Sequence, residues 1–252
     1  GSVRDDIVFL DPVIGVGELA ISDHRSSQPT LDELLRIASD AHVAGMISGK
    51  AGILHLHLGD GDRGLDLVRQ ALEKSELPPR VFNPTHINRR KALFEESVNL
   101  AARGCTVDIT AFPVEEGEDA WSAADALQRY LASDAPRTNV TVSSDGGGCL
   151  PVFDEQGEML RMGIGSPSSL LSTLAELLER ELPLDKVLPA FTGNVANILK
   201  LSDRGRIEAG CVADLLVLDD DHGLSDVMIA GIWHVRDGVQ QVFGQYEQDG
   251  VQ

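Results

Sequence analysis

Residues 80–113 read RVFNPTHINRRKALFEESVNLAARGCTVDITAFP, which is an apolar strand, a short polar loop, an amphipathic helix and a second apolar strand. The helix, ALFEESVNLAARG (92–104), closes on Gly104 as a C′ residue. The same unit recurs on both sides. VIGVGELAIS (13–22) precedes the helix LDELLRIASDAHVAG (31–45), which Thr30 opens as an N-cap. GILHLHLGD (52–60) precedes GLDLVRQALEKS (64–75). TVDITAFP (106–113) leads through an acidic loop to WSAADALQRYLAS (121–133). NVTVSSDGGG (139–148) leads to SSLLSTLAELLERE (168–181). The strands read as near-continuous apolar runs with β-branched residues, which predicts a parallel sheet covered by helices on both faces. Strand–helix alternation of this kind means an α/β fold with right-handed crossovers.

From residue 205 the texture changes. GRIEAGCVADLLVLD (205–219), LSDVMIAGIWHVRDG (224–238) and VQQVFG (239–244) read as short strands joined by Gly and Asp turns. The expected division is an α/β part over 1–204 and a small β appendage over 205–252. Five strand–helix units are too few for a closed eight-stranded barrel, which leaves an open sheet or the later part of a barrel.

Composition removes several classes of function. The 252 residues carry 40 acidic and 21 basic side chains, a net charge of −19. Such a field repels nucleic acid and anionic membranes. Aromatic residues at 4% supply no base-stacking platform. No run of eighteen apolar residues exists to span a bilayer, and GSVRDDIVFLDP at the start is not the pattern of a signal peptide. Cys105, Cys149 and Cys211 are odd in number and far apart, so neither a disulfide framework nor a CxxC knuckle is expected. A reducing, cytoplasmic setting follows as the expectation.

Ligands of parallel α/β folds bind at the carboxyl ends of the strands. There the sequence places Glu18, the SDHR loop ending in Arg25, His55 and His57, His86 and Arg89 in PTHINRR, and Asp145 before three glycines. Each alone has a structural explanation: a hydrogen-bonded histidine, a solvated acid, an Asp–Gly turn. Glu18, His57, His86 and Asp145 at equivalent positions of a repeating architecture point instead to a metal-ligand set. Imidazole and carboxylate together suit zinc best, with manganese or iron as alternatives. His55 and His57 face the same way on their strand and could chelate one ion together. The preferred assignment keeps His57 as ligand and sets His55 one layer deeper.

The segments VIGVGELAISDHRS (13–26), LHLGD (56–60), NPTHINR (83–89), GCTVDIT (104–110), VTVSSDGGG (140–148) and GRIEAGCVADLLVLD (205–219) resemble the amidohydrolase superfamily. Within it they are most similar to the isoaspartyl (β-aspartyl) dipeptidases. The resemblance implies a TIM-type (β/α)8 metal-dependent hydrolase barrel with a β-sandwich appendage, and two zinc ions in the complete protein. It implies that His57 and His86 hold one metal, and that Asp145 binds the other and shuttles protons. It further implies that Arg25 and Arg89 clamp substrate carboxylates. Glu18 falls where the family carries a bridging carboxylated lysine, and a glutamate also offers two oxygens to two cations. The family's first-strand histidine pair has no counterpart upstream of Glu18. The chain is therefore expected to be strands four to eight of the barrel plus sandwich strands, with the rest cleaved or on another chain. The implied activity is hydrolysis of isoaspartyl dipeptides by metal-activated hydroxide, in a cytoplasmic homo-oligomer that binds a small dipeptide. The alternatives are a dihydroorotase-like hydrolase of cyclic amides and a non-catalytic partial barrel.

Overall fold

The structure, a computed structural model, describes residues 1–153, 159–245 and 247; the final residues of the expected appendage lie outside this range. Helix α1 (Val3–Phe9) stands ahead of the five expected units, capped by Ser2, which accepts from the Asp5 amide. The units follow in order: β1 (Val16–Ser22) and α2 (Leu31–Ser48), β2 (Leu54–Leu58) and α3 (Asp66–Lys74), β3 (Phe82–Thr85) and α4 (Lys91–Ala102). Then come β4 (Val107–Thr110) and α5 (Ala123–Leu131), and β5 (Val140–Ser143). Thr30 opens α2 through a full capping box with Glu33, so two otherwise unpaired amides are satisfied reciprocally. Gly104 follows α4 with φ +101°, the left-handed conformation expected of a C′ glycine.

Between β5 and its helix α6 (Ser169–Glu179) the chain inserts an antiparallel hairpin that the periodicity does not reveal, β6 (Cys149–Phe153) with β7 (Met159–Ile164). Two short helices, α7 (Leu184–Val187) and α8 (Gly193–Ile198), lead to β8 (Leu215–Leu218), β9 (Leu224–Ile229), β10 (Ile232–Arg236) and β11 (Val239–Gln240). These four strands form one antiparallel sheet in the order β11-β10-β9-β8, without helices between them. No helix among the described residues is long and apolar enough to cross a membrane.

Strands β1, β2 and β3 form one parallel sheet and β4 and β5 another, with β3 lying beside β4. The burial pattern corrects the expectation of continuously apolar strands. In β2, Leu54, Leu56 and Leu58 are fully buried in the main core, while His55 and His57 are half-buried on the opposite face. Phe82, Val107, Ile109, Val140 and Val142 continue the apolar face, packed with Leu34, Val68, Leu100 and Leu127 from the helices. The other face carries Asn83, Thr85, Asp108, Thr110, Thr141 and Ser143 in register.

A buried polar face persists only if its groups pair with one another. They do. Asp108 accepts hydrogen bonds from Thr85 Oγ1 at 2.7 Å, Thr141 Oγ1 at 2.5 Å and Ser143 Oγ at 2.5 Å. Asn83 donates to Thr106 Oγ1 at 2.9 Å and meets His55 Nδ1 at 2.6 Å. Thr110 Oγ1 lies 2.8 Å from His86 Nδ1. The parallel sheets thus have a leucine-rich side that supplies stability and a polar side that is available for chemistry.

Two measurements of unfolding free energy separate these sides. Leu56→Ala leaves a cavity under α2 and α3 and should cost about 2–5 kcal/mol. Thr110→Val removes the partner of a buried imidazole nitrogen and should cost about 1–3 kcal/mol. A Thr110→Val protein as stable as wild type would contradict the account of the polar face.

Candidate metal centre

The β1–β2 ladder pairs Val16 with Leu54 but Leu19 with Leu56, so β1 carries an extra residue where Gly17 and Glu18 lie. A bulge of this kind bends a strand and re-aims its side chains. Gly17 permits the close approach, because a Cβ there would sit 2.6 Å from the His55 Cβ. Glu18 consequently faces three imidazoles. Its Oε2 lies 3.0 Å from His57 Nδ1, and its Oε1 lies 3.6 Å from His55 Nε2 and 3.7 Å from His86 Nε2. The close approach of His55, His57 and His86 holds the Glu18 carboxyl far below the usual carboxylate range, so it is an anion.

His57 reaches this point by the period-two geometry of β2, and His86 by a left-handed turn (φ +61°) immediately after β3. The two rings meet edge to face at 4.7 Å between centroids. Candidate ligand atoms of Glu18, His57 and His86 all lie within 4.8 Å of one another. His86 is 1% exposed, and its Nε2 is buried without a hydrogen-bond partner among the described residues. When Thr110 accepts from Nδ1–H, the His86 Nε2 lone pair points into the cluster unpaired. Two imidazoles, one anionic carboxylate and one orphaned buried nitrogen fit a divalent cation of borderline hardness, zinc foremost.

Beside this cluster is a cavity of about 330 Å³, lined among others by Glu18, Asp23, Arg25, His57, Arg89 and Asp145. Asp145 sits there at φ +48° ahead of the glycines, outside the close group of ligand atoms formed by Glu18, His57 and His86. Arg89 is half-buried over the Phe112 ring, 5.9 Å from its centroid. It makes no side-chain hydrogen bond or ion pair with another described residue. Burial lowers its pKa, with Asp145 the largest opposing influence. A desolvated guanidinium at a cavity wall is a ready partner for a carboxylate. Arg25 lines the same cavity but is already engaged by Asp23: Nε to Oδ1 at 3.0 Å and Nη2 to Oδ2 at 2.8 Å.

Asp23 is the residue that reasoning from the sequence passed over, although it stands in the quoted SDHR segment. Its side chain is buried, and its Oδ2 also lies 3.2 Å from His57 Nε2. Asp23, His24 and Asp60 make a second group of potential ligands, in which His24 Nδ1 is 2.8 Å from Asp60 Oδ2. Of its members Asp23 already pairs with Arg25, and His24 and Asp60 are exposed. The only sequence signal for Asp23 is an Asp two residues before an Arg in the loop after a strand.

No family model matches the chain. It is similar to the β-aspartyl dipeptidase of the thermophilic, keratin-degrading Fervidobacterium islandicum AW-1, whose crystal structure holds a β-Asp-Leu dipeptide. The TM-score is 0.89 with 42% sequence identity over 97% of this chain and 63% of that one. A second crystal structure of that β-aspartyl dipeptidase gives a TM-score of 0.85 at 41% identity over 97% of this chain and 62% of that one. The chain thus spans less than two thirds of the length of these relatives. A likeness of fold alone extends to an adenosine deaminase from Xanthomonas campestris with bound zinc, at a TM-score of 0.51 and 18% identity over 85% of this chain and 51% of that one. Five parallel strands with a histidine and carboxylate cluster on their polar face thus occur in a chain that is similar, over 97% of its own length, to a β-aspartyl dipeptidase.

Proposed function

We propose that the protein is a metal-dependent amidohydrolase that cleaves isoaspartyl (β-aspartyl) dipeptides. In this reading residues 1–204 are the later part of a TIM-type (β/α)8 barrel and residues 205–252 are β-sandwich strands. The observation that carries it is the meeting of Glu18, His57 and His86, with the unpartnered His86 Nε2, at the wall of a cavity that also presents Arg25, Arg89 and Asp145. The 41–42% identity to β-aspartyl dipeptidases supports the substrate class.

Glu18, His57 and His86 would hold one zinc ion, and Asp145 would contribute to a second in the complete protein. When bound, such an ion supplies Lewis acidity towards a carbonyl and lowers the pKa of water. The chain's own groups do the rest. A dipeptide linked through the aspartyl side chain keeps free carboxylates, and Arg89 and the unengaged edge of Arg25 bind them. That contact fixes the scissile amide beside Glu18. Asp145 accepts the proton of the attacking water and returns it to the leaving amine, acting first as general base and then as general acid. With a net charge of −19, nucleic acid and anionic membranes are not its partners. A cytoplasmic homo-oligomer completes the proposal.

Two experiments test it. In the complete protein, Arg25→Ala or Arg89→Ala should lower kcat/KM for β-Asp-Leu roughly ten- to a hundredfold, chiefly through KM, the loss expected for one charge-assisted contact. Unchanged kinetics in both variants would remove the clamp. Dialysis against a chelator should abolish turnover, and zinc should restore it to the wild type but not to Glu18→Ala. Turnover that survives chelation would overturn the metal-dependent reading.

A further inference from the structure

Asp23 comes from the loop after β1, yet it touches two functional groups that the sequence keeps apart. One carboxylate oxygen, Oδ1, accepts from the Arg25 amide at 2.7 Å and from Arg25 Nε at 3.0 Å. The other, Oδ2, accepts from Arg25 Nη2 at 2.8 Å and faces His57 Nε2 at 3.2 Å. The residue is 4% exposed, so the carboxylate has little water to turn towards. Gly59, just after β2, closes over it: a Cβ at that position would overlap the Asp23 carboxylate. The carboxylate is thus locked between a histidine of the cluster and an arginine of the cavity wall.

We propose that Asp23 is a positioning residue that holds His57 in the tautomer protonated at Nε2 and, with the same carboxylate, sets the orientation of Arg25. The inference rests on the metal-centre reading above. Both ring nitrogens of His57 face carboxylates that only accept, Glu18 at Nδ1 and Asp23 at Nε2, so once a cation takes the Glu18 side the ring proton is held at Nε2 by Asp23. The Nδ1 lone pair is then free on the side that faces Glu18, where a cation needs it. Partners that orient a ligating histidine through its second nitrogen typically change metal affinity 10- to 100-fold when removed. The Arg25 fork is fixed by the same atoms, so the metal ligand and the carboxylate-binding arm keep a constant separation. Selection for a substrate that presents its carboxylate at that separation from the scissile amide follows from this link.

The test is zinc affinity of the chain, measured by competition with a chromogenic chelator. Asp23→Asn keeps the shape but can donate to Nε2 and drive the proton onto Nδ1. It should weaken zinc binding about 10- to 100-fold. Gly59→Ala, which displaces the carboxylate without removing it, should weaken binding in the same direction. Arg25→Ala spares the contact between Asp23 and His57 and should leave zinc affinity within about threefold while raising KM. A wild-type chain that binds no zinc would sink the metal-centre reading itself. Zinc binding as tight in Asp23→Asn as in wild type would sink only the role of Asp23, as would Arg25→Ala weakening zinc equally. Should Asp23→Asn fail to fold, imidazole 15N shifts of the zinc-loaded wild type decide the matter. They should report His57 protonated at Nε2, and protonation at Nδ1 overturns the proposal.

Discussion

The contact between the Glu18 carboxylate and imidazoles from two other segments organises the rest of the molecule. An anion on a partly buried face needs partners, and an imidazole nitrogen buried without one is costly. Glu18 meets His57, and the unpartnered His86 Nε2 is aimed at the same point, only when β1, β2 and β3 lie in the observed register. The β1 bulge, the glycine at 17 and the left-handed turn at His86 all serve that register. A conformation with positive φ at a residue other than glycine is uncommon, and its place beside a cluster of chemistry-bearing groups fits the tendency of strain to collect at functional sites.

Two faces of the same strands divide the labour. Leucine, valine and phenylalanine on one side pack beneath the helices and supply the burial energy, roughly 1.5–3 kcal/mol for each large side chain. On the other side, Asp108 gathers three hydroxyl donors, and Asn83 links His55 to Thr106. That network turns a face that would be costly to bury into a rigid platform. His55 belongs to it, tied to Asn83, whereas His57 and His86 turn towards Glu18 and the open cavity.

The order of the five strand–helix units was legible because apolar periodicity and helix caps are local signals; the Thr30 capping box and Gly104 are examples. Helix α1 was missed because its signal is a short acidic turn after Ser2. The β6–β7 hairpin was missed because alternation over a few residues is weak between two stronger elements. Threonine is β-branched and suits a strand on either face, so the sequence does not tell its polar positions from its apolar ones; only register shows that Thr85 and Thr141 face Asp108. At the site, histidines and carboxylates at strand ends could be picked out one by one, and the resemblance grouped them. What Asp23 does depends on His57, 34 residues away, and no local pattern encodes that contact.

The most direct test of the metal centre is anomalous diffraction at the zinc edge from crystals of the chain soaked in zinc. The account predicts a peak about 2.0–2.2 Å from His57 Nδ1, His86 Nε2 and a Glu18 carboxylate oxygen. A map with no peak among these three residues, or with zinc held only by Asp23, His24 and Asp60, would contradict it.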